Sequence, residues 1–205
     1  YESNAIKSYI LPIGSNFDNV NFYKRHNYDI LLVVNLFNRR EIVDYIIRLK
    51  KTDKYKIKII GKNLDNYLNR DELNLIKEDY YGFINEEDIK NNYLDAKIII
   101  DDCNINTIEF GSLNKTIVDC ISCKRLVITN NMIASNELFD NKLITYDSYE
   151  SLINVIDKYL NNEKEYNDIV NQLYEHSKQF NNNKNYKHVF YNLNIFEKNN
   201  VKTDL

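Results

Sequence analysis

With 205 residues, 43% hydrophobic and 28% charged, the chain has ordinary globular composition and length for one large or two small domains. A net charge of −3 gives no footprint for binding a phosphate backbone, so nucleic acid is not an expected partner. No apolar run approaches the roughly 20 residues of a membrane span, and the opening YESNAIKSY lacks signal-peptide character, so a cytoplasmic protein without a transmembrane segment is expected.

Residues 1–27 are irregular, carry the only proline (Pro12) and an isolated Gly14, and read as a linker. Tyr28 to Leu36 (YDILLVVNL) is a nearly continuous apolar run, the pattern of a strand buried on both faces of a parallel sheet. After Phe37-Asn38-Arg39-Arg40, apolar residues at Ile42, Val43, Ile46, Ile47 and Leu49 follow helical spacing through Lys51. Ile57 to Ile60 gives a second strand closed by Gly61, then a weaker helix from Leu64 to Lys77, and a short strand or turn at Tyr80 to Ile84 around Gly82. Asn85 is placed to cap a helix with Glu86, Glu87 and Asp88 in its first turn.

The segment from Lys97 to Asn130 organises the rest. It reads as strand Lys97–Ile100, an acidic, Asn-rich loop Asp101–Gly111, helix Leu113–Cys123 and strand Leu126–Thr129. Leu143 to Tyr146 predicts a sixth strand, and Asp147-Ser-Tyr-Glu150 a capping box for helix Tyr149–Leu160. Helical patterns over Glu163–Phe180 and Tyr186–Leu193 are separated by Asn181-Asn182-Asn183. The expected architecture is α/β: a Rossmann-like parallel sheet of about six strands with helices on both faces, formed by residues 28–180. A C-terminal helix and tail occupy 181–205.

Strand, loop and helix units of this kind bind ligands at the carboxyl edge of the sheet. In a chain with four glycines, Gly61, Gly82 and Gly111 fall at strand or loop ends, where positive φ or close backbone approach is needed. The helix start near Leu113 offers N–H groups to a phosphate, with Asn114, Lys115 and Thr116 adding donors and Arg39 or Arg40 approaching from the first strand. Asp119, one turn on, is placed to accept from ribose hydroxyls, and Glu109 to face a sugar. Ordinary caps and solvated turns account for the same residues about equally well. Cys120-x-x-Cys123 and nearby Cys103 read as small core residues, with no fourth ligand for zinc. The Asp101-Asp102 pair reads as loop capping ahead of a metal site or phosphoacceptor. No Gly-x-Gly-x-x-Gly or Walker motif occurs, and His26, His176 and His188 are scattered.

The stretch AKIIIDDCNINTIEFGSLNKTIVDCISCKRLVITNNMIASNELFDNKLITYDSYESLINVIDKYLNN resembles the nucleotide-sugar-binding C-terminal half of GT-B glycosyltransferases, in particular spore-maturation-type and group 1 relatives. The matching positions are Asp101-Asp102, Gly111, Asn114 to Asp119, Ser122 to Lys124, Ile128-Thr129-Asn130, Ser135 to Phe139, and Tyr146. Around it, YILPIGSNFD resembles the interdomain linker and YYGFINEEDIKNNYLDAKI the turn that cradles the base. The resemblance implies a hexosyltransferase that takes a UDP- or GDP-sugar donor without metal or other cofactor, passes the sugar to an unidentified glycan or protein acceptor, and works with an N-terminal GT-B domain. It assigns catalytic roles to Glu109 and Lys115, and donor binding to Arg40, Gly61, Gly82, Phe83, Gly111, Asn114, Thr116 and Asp119. The chain departs from the family pattern at Thr116, where the diphosphate-facing Arg is expected, and at Lys124, where the turn glycine is expected. The alternative expectation is a degenerate Rossmann-like module kept for binding or scaffolding.

Overall fold

The computed structural model describes residues 14, 15, 17 and 26–178. Among these, the elements in order are β1 (Tyr28–Val33), α1 (Glu41–Lys51), β2 (Ile57–Ile60), a single 3-10 turn (Asp65–Tyr67), α2 (Arg70–Ile76), α3 (Glu86–Asp95) and β3 (Ala96–Asp101). They continue with α4 (Ile105–Glu109), α5 (Lys115–Ser122), β4 (Leu126–Thr129), α6 (Met132–Phe139), β5 (Ile144–Thr145), α7 (Tyr149–Asn161) and α8 (Glu163–Ser177). The strands form one parallel sheet in the order β2-β1-β3-β4-β5. Ile30, Leu31, Leu32, Ile98, Ile99 and Leu126 to Ile128 are buried, as unalternating apolar runs in a doubly covered sheet should be.

The chain leaves β1 toward β2 on one side and leaves β3 toward β4 on the other. With right-handed crossovers this puts α1 on one face and α3 and α5 on the opposite one. Helix α1 packs with α2, and its Arg48 pairs with Glu150 of α7 at 2.8 Å; α5 packs with α8. A crevice therefore opens between the carboxyl ends of β1 and β3, where the winding reverses.

The sheet has five strands, one fewer than expected. At Tyr80 only an isolated bridge to Ile59 forms, because Gly82 follows at φ +66 and turns the chain away after Tyr81 N and Gly61 N have bonded. The weak helix from Leu64 divides into the 3-10 turn and α2, since Asn69 breaks it and caps α2 through a capping box with Glu72. The expected loop Asp101–Gly111 contains α4, capped by Asn104. The box at α7 is formed by Ser148 with Ser151, one residue later than expected. Phe180, the helix at Tyr186–Leu193 and most of the linker lie outside the described residues.

Gly61 sets the floor of the crevice. Its φ is +140, and a Cβ there would sit 1.8 Å from the Val34 carbonyl oxygen, so β2 ends closer to the β1 backbone than any side chain permits. Gly61→Ala is expected to destabilise the fold by about 3 kcal/mol in chemical denaturation. Gly82→Ala, with open space around its Cβ, should cost only the left-handed backbone penalty of about 1 kcal/mol.

Candidate functional site

The crevice holds two contiguous cavities that share Val33, Asn35, Lys115 and Thr116. One, about 360 Å³, is mainly apolar, walled by Ile60, Gly61, Phe83, Ile84, Ile89 and Tyr93, with Asp119 at its inner side. The other, about 250 Å³, is polar and lined by Arg40, Asp101, Asp102, Asn104 and Asn114, with Phe37 at its mouth.

Asp101 ends β3 and is fully buried. Asn114 Nδ2 donates to both of its oxygens at 3.1 and 3.2 Å, and Cys103 Sγ and Thr129 Oγ1 reach Oδ2 at 3.2 and 3.4 Å. Burial raises its carboxyl above the usual range, and the Cys103, Asn114 and Thr129 hydrogen bonds pull it back. Burial, with the Asp101 charge beside it, also pushes the Cys103 thiol up, so it stays a donor.

With its amide committed to Asp101, Asn114 stands at the N-cap of α5 without capping it. Arg40 likewise begins α1 and Asn85 begins α3 with no side-chain cap. The other five described helices are all side-chain capped, by Asn69, Asn104, Asn131, Ser148 and Asn162. Of the uncapped helices, α1 and α5 begin at the polar cavity and present the partial positive charge of their first turns to it, while α3 contributes Ile89 and Tyr93 to the apolar one.

Two cations lie in its walls, each against a carboxylate. Arg40 Nη2 is 2.7 Å from Asp102 Oδ2, and Asp102 Oδ1 accepts from Tyr146 OH and Asn130 Nδ2, both at 3.1 Å. Burial raises the Asp102 carboxyl to about 6, with Arg40 and the Tyr146 hydroxyl opposing the rise. Lys115 Nζ donates to Asp119 Oδ2 at 2.9 Å across one helical turn, and Ser15 Oγ donates to Oδ1 at 2.7 Å. Arg39 turns away from the crevice to Asp44 and the Tyr67 carbonyl. Among the described residues no three His, Cys, Asp or Glu side chains gather as a metal site, and Cys103, Cys120 and Cys123 are buried free thiols.

Of the residues singled out from sequence, Arg40, Gly61, Phe83, Asn114, Lys115, Thr116 and Asp119 line the two cavities. Glu109 is exposed at the end of α4 and lines neither; Gly82 and Gly111 are also outside the walls, Gly82 bonding through its carbonyl to Gly61 N at 2.8 Å. Sequence reasoning missed Asn35, the first polar residue past β1, and gave Asp102 only a capping role. It also missed Ser15, which lies 104 positions from the Asp119 it holds and leaves no local signal. Lys124 stands at φ +50, a left-handed turn at the position where the family resemblance places glycine.

The family model described as "Glycosyl transferase-like" matches residues 39–190. No curated protein matches. Among solved structures, a T4 phage BGT variant in complex with UDP-glucose superposes with TM-score 0.59 at 6% identity, over 87% of this chain and 50% of that one. A Thermobaculum terrenum O-GlcNAc transferase matches with TM-score 0.53 at 9% identity, over 83% and 36%. S. aureus TarM, solved with fondaparinux, alpha-GlcNAc-glycerol and UDP, matches with TM-score 0.54 at 12% identity, over 82% and 36%. The chain thus spans half or less of the solved proteins it matches, and the shared architecture is that of the GT-B glycosyltransferases.

The raised Asp102 carboxyl has a sign that can be measured. Unfolded, it ionises near its ordinary value of 3.8, whereas folded it holds its proton to about 6. Its contribution to stability is therefore full below about pH 4 and is lost as pH rises through about 6. Relative to Asp102→Asn, the native protein should lose up to about 3 kcal/mol between pH 4 and 7 in denaturant titrations.

Proposed function

The chain belongs to the glycosyl transferase-like family, and from that membership we propose that it is the donor-binding unit of a glycosyltransferase, holding a UDP- or GDP-sugar across the β1/β3 crevice. The observation that carries this reading is the convergence of two uncapped helix starts, those of α1 and α5, and two cations on a polar cavity that continues into an apolar one. Nucleoside and diphosphate differ in polarity in just this way.

In this reading the base enters the apolar cavity between Phe83, Ile84 and Ile60 and meets the backbone after Gly82. A ribose hydroxyl takes the place of the Lys115 ammonium on Asp119. The diphosphate lies at the α5 start against Asn114 and Thr116, and Lys115 and Arg40 turn to it. As the sugar leaves, the charge that grows on the diphosphate is met by helix amides and these two cations, already fixed in a partly buried site. This needs no metal for leaving-group stabilisation. Glu109 and Gly111 remain on the rim.

The acceptor and any catalytic base come, in this reading, from a second domain of the GT-B kind. Phe37, Ile105, Phe110 and Met132, all more than half exposed, stand in the loops and helix starts after β1, β3 and β4, on the rim such a domain would cover. A binding or scaffolding module without catalysis is the second reading, favoured by both cations being held against carboxylates.

Calorimetric titration with UDP-glucose and GDP-mannose separates the two. One of them should bind, and Arg40→Ala and Lys115→Ala should each weaken it by at least tenfold, the loss of about 1.5–3 kcal/mol expected for a charge-assisted hydrogen bond. Absence of binding by both at millimolar concentration would leave the scaffolding reading.

A further inference from the structure

Arg40 meets the Asp102 carboxylate through one guanidinium nitrogen. Nη2 is 2.7 Å from Asp102 Oδ2, the guanidinium's single short contact. The guanidinium's other contacts are long, 3.4 Å to the Asn35 carbonyl and 3.3 Å to the Asp102 carbonyl, and its buried Nε has no partner. Asp102 is held from its other oxygen, where Tyr146 OH and Asn130 Nδ2 both donate at 3.1 Å. The carboxyl can thus stay in place while the guanidinium leaves.

We propose that an anionic diphosphate entering the polar cavity draws Arg40 off Asp102, and that Asp102, left without its counter-ion inside the protein, takes up one proton from solvent. This rests on the donor-binding reading above. Around Asp102 the charged and titratable groups are Arg40 at the head of α1, Asp101 before it in β3, Cys103 after it, Tyr146 following β5, and Lys115 of α5 across the cavity. Of these, Arg40 is the cation in contact with it. Removing Arg40 to the ligand while adding the ligand's negative charge raises the cost of an ionised Asp102 on both counts. The carboxyl already stands near 6 with Arg40 beside it, so protonation falls within the neutral range. Carboxylate and solvent proton give the neutral acid, whose new O–H at Oδ2 faces the space Arg40 vacated and donates to the incoming phosphate. Asp102 thereby changes from holding a cation in reserve to contacting the ligand.

UDP-glucose is the suitable probe, because its diphosphate, esterified at both ends, does not titrate near neutrality. Calorimetry in buffers of different ionisation enthalpy at pH 7 should show uptake approaching one proton on binding, with affinity weakening up to tenfold per pH unit as pH rises from about 6.5 to 8. Uridine, which lacks phosphate, should bind without uptake, and Asp102→Asn should bind UDP-glucose with none. Difference infrared spectroscopy of the unmodified protein should show a protonated-carboxyl band appearing with UDP-glucose, which keeps the test independent of how the variant folds. Binding of UDP-glucose without proton uptake, or uptake unchanged in Asp102→Asn, overturns this inference and leaves the donor-binding reading standing. Failure of both UDP-glucose and GDP-mannose to bind overturns the two together.

Discussion

The site depends on a carboxylate buried where β3 ends. An isolated charge in that position would be prohibitive, and Asp101 is tolerated because Asn114, Cys103 and Thr129 all donate to it. These three residues come from α5, the β3–α4 loop and β4, so one acceptor fixes three segments at the carboxyl edge. The same hydrogen bonds take the Asn114 amide away from α5 and leave the start of that helix uncapped. A structural requirement of the interior thus exposes the N–H groups that make the crevice attractive to anions.

Asp102, one position beyond the end of β3, lines the same polar cavity. There it meets Arg40, which the β1–α1 loop brings to the same place. On the far wall, Lys115 rests against Asp119 in the same manner. Both cations thus stand at the crevice wall, each against a carboxylate, and in the donor-binding reading both are already beside the diphosphate. Gly61, where β2 closes against the β1 backbone, lines the apolar cavity beside them.

Much of this was legible in the sequence. The four longer strands were visible as β-branched runs without alternation, and their order along the chain with intervening helices implied a parallel sheet and a crevice at its carboxyl edge. Seven residues proposed as ligands line that crevice because they flank strand ends and helix starts, which topology brings together. The failures have physical causes as well. α4 is a single Asn-capped turn in a polar loop, too short to show periodicity. The strand expected at Leu143 to Tyr146 forms as the two-residue β5, while the stretch at Tyr80 makes only a lone bridge, which reduced the expected six strands to five. Ser148 rather than Asp147 caps α7, a one-residue difference decided by backbone geometry. Lys124 occupies a left-handed turn with no glycine to announce it, and the long-range partner of Asp119, Ser15, has no sequence signature at all.

The central claim is that the starts of α1 and α5 and the turn at Phe83 form one anion- and nucleoside-binding surface. Amide chemical-shift mapping of the isotope-labelled chain during titration with UDP-glucose or GDP-mannose tests it most directly. The account predicts saturable shifts concentrated at Glu41 to Val43, Phe83-Ile84 and Lys115 to Ile117, with α7 and α8 unmoved. Shifts confined to α7 and α8, or none anywhere at millimolar ligand, would contradict it.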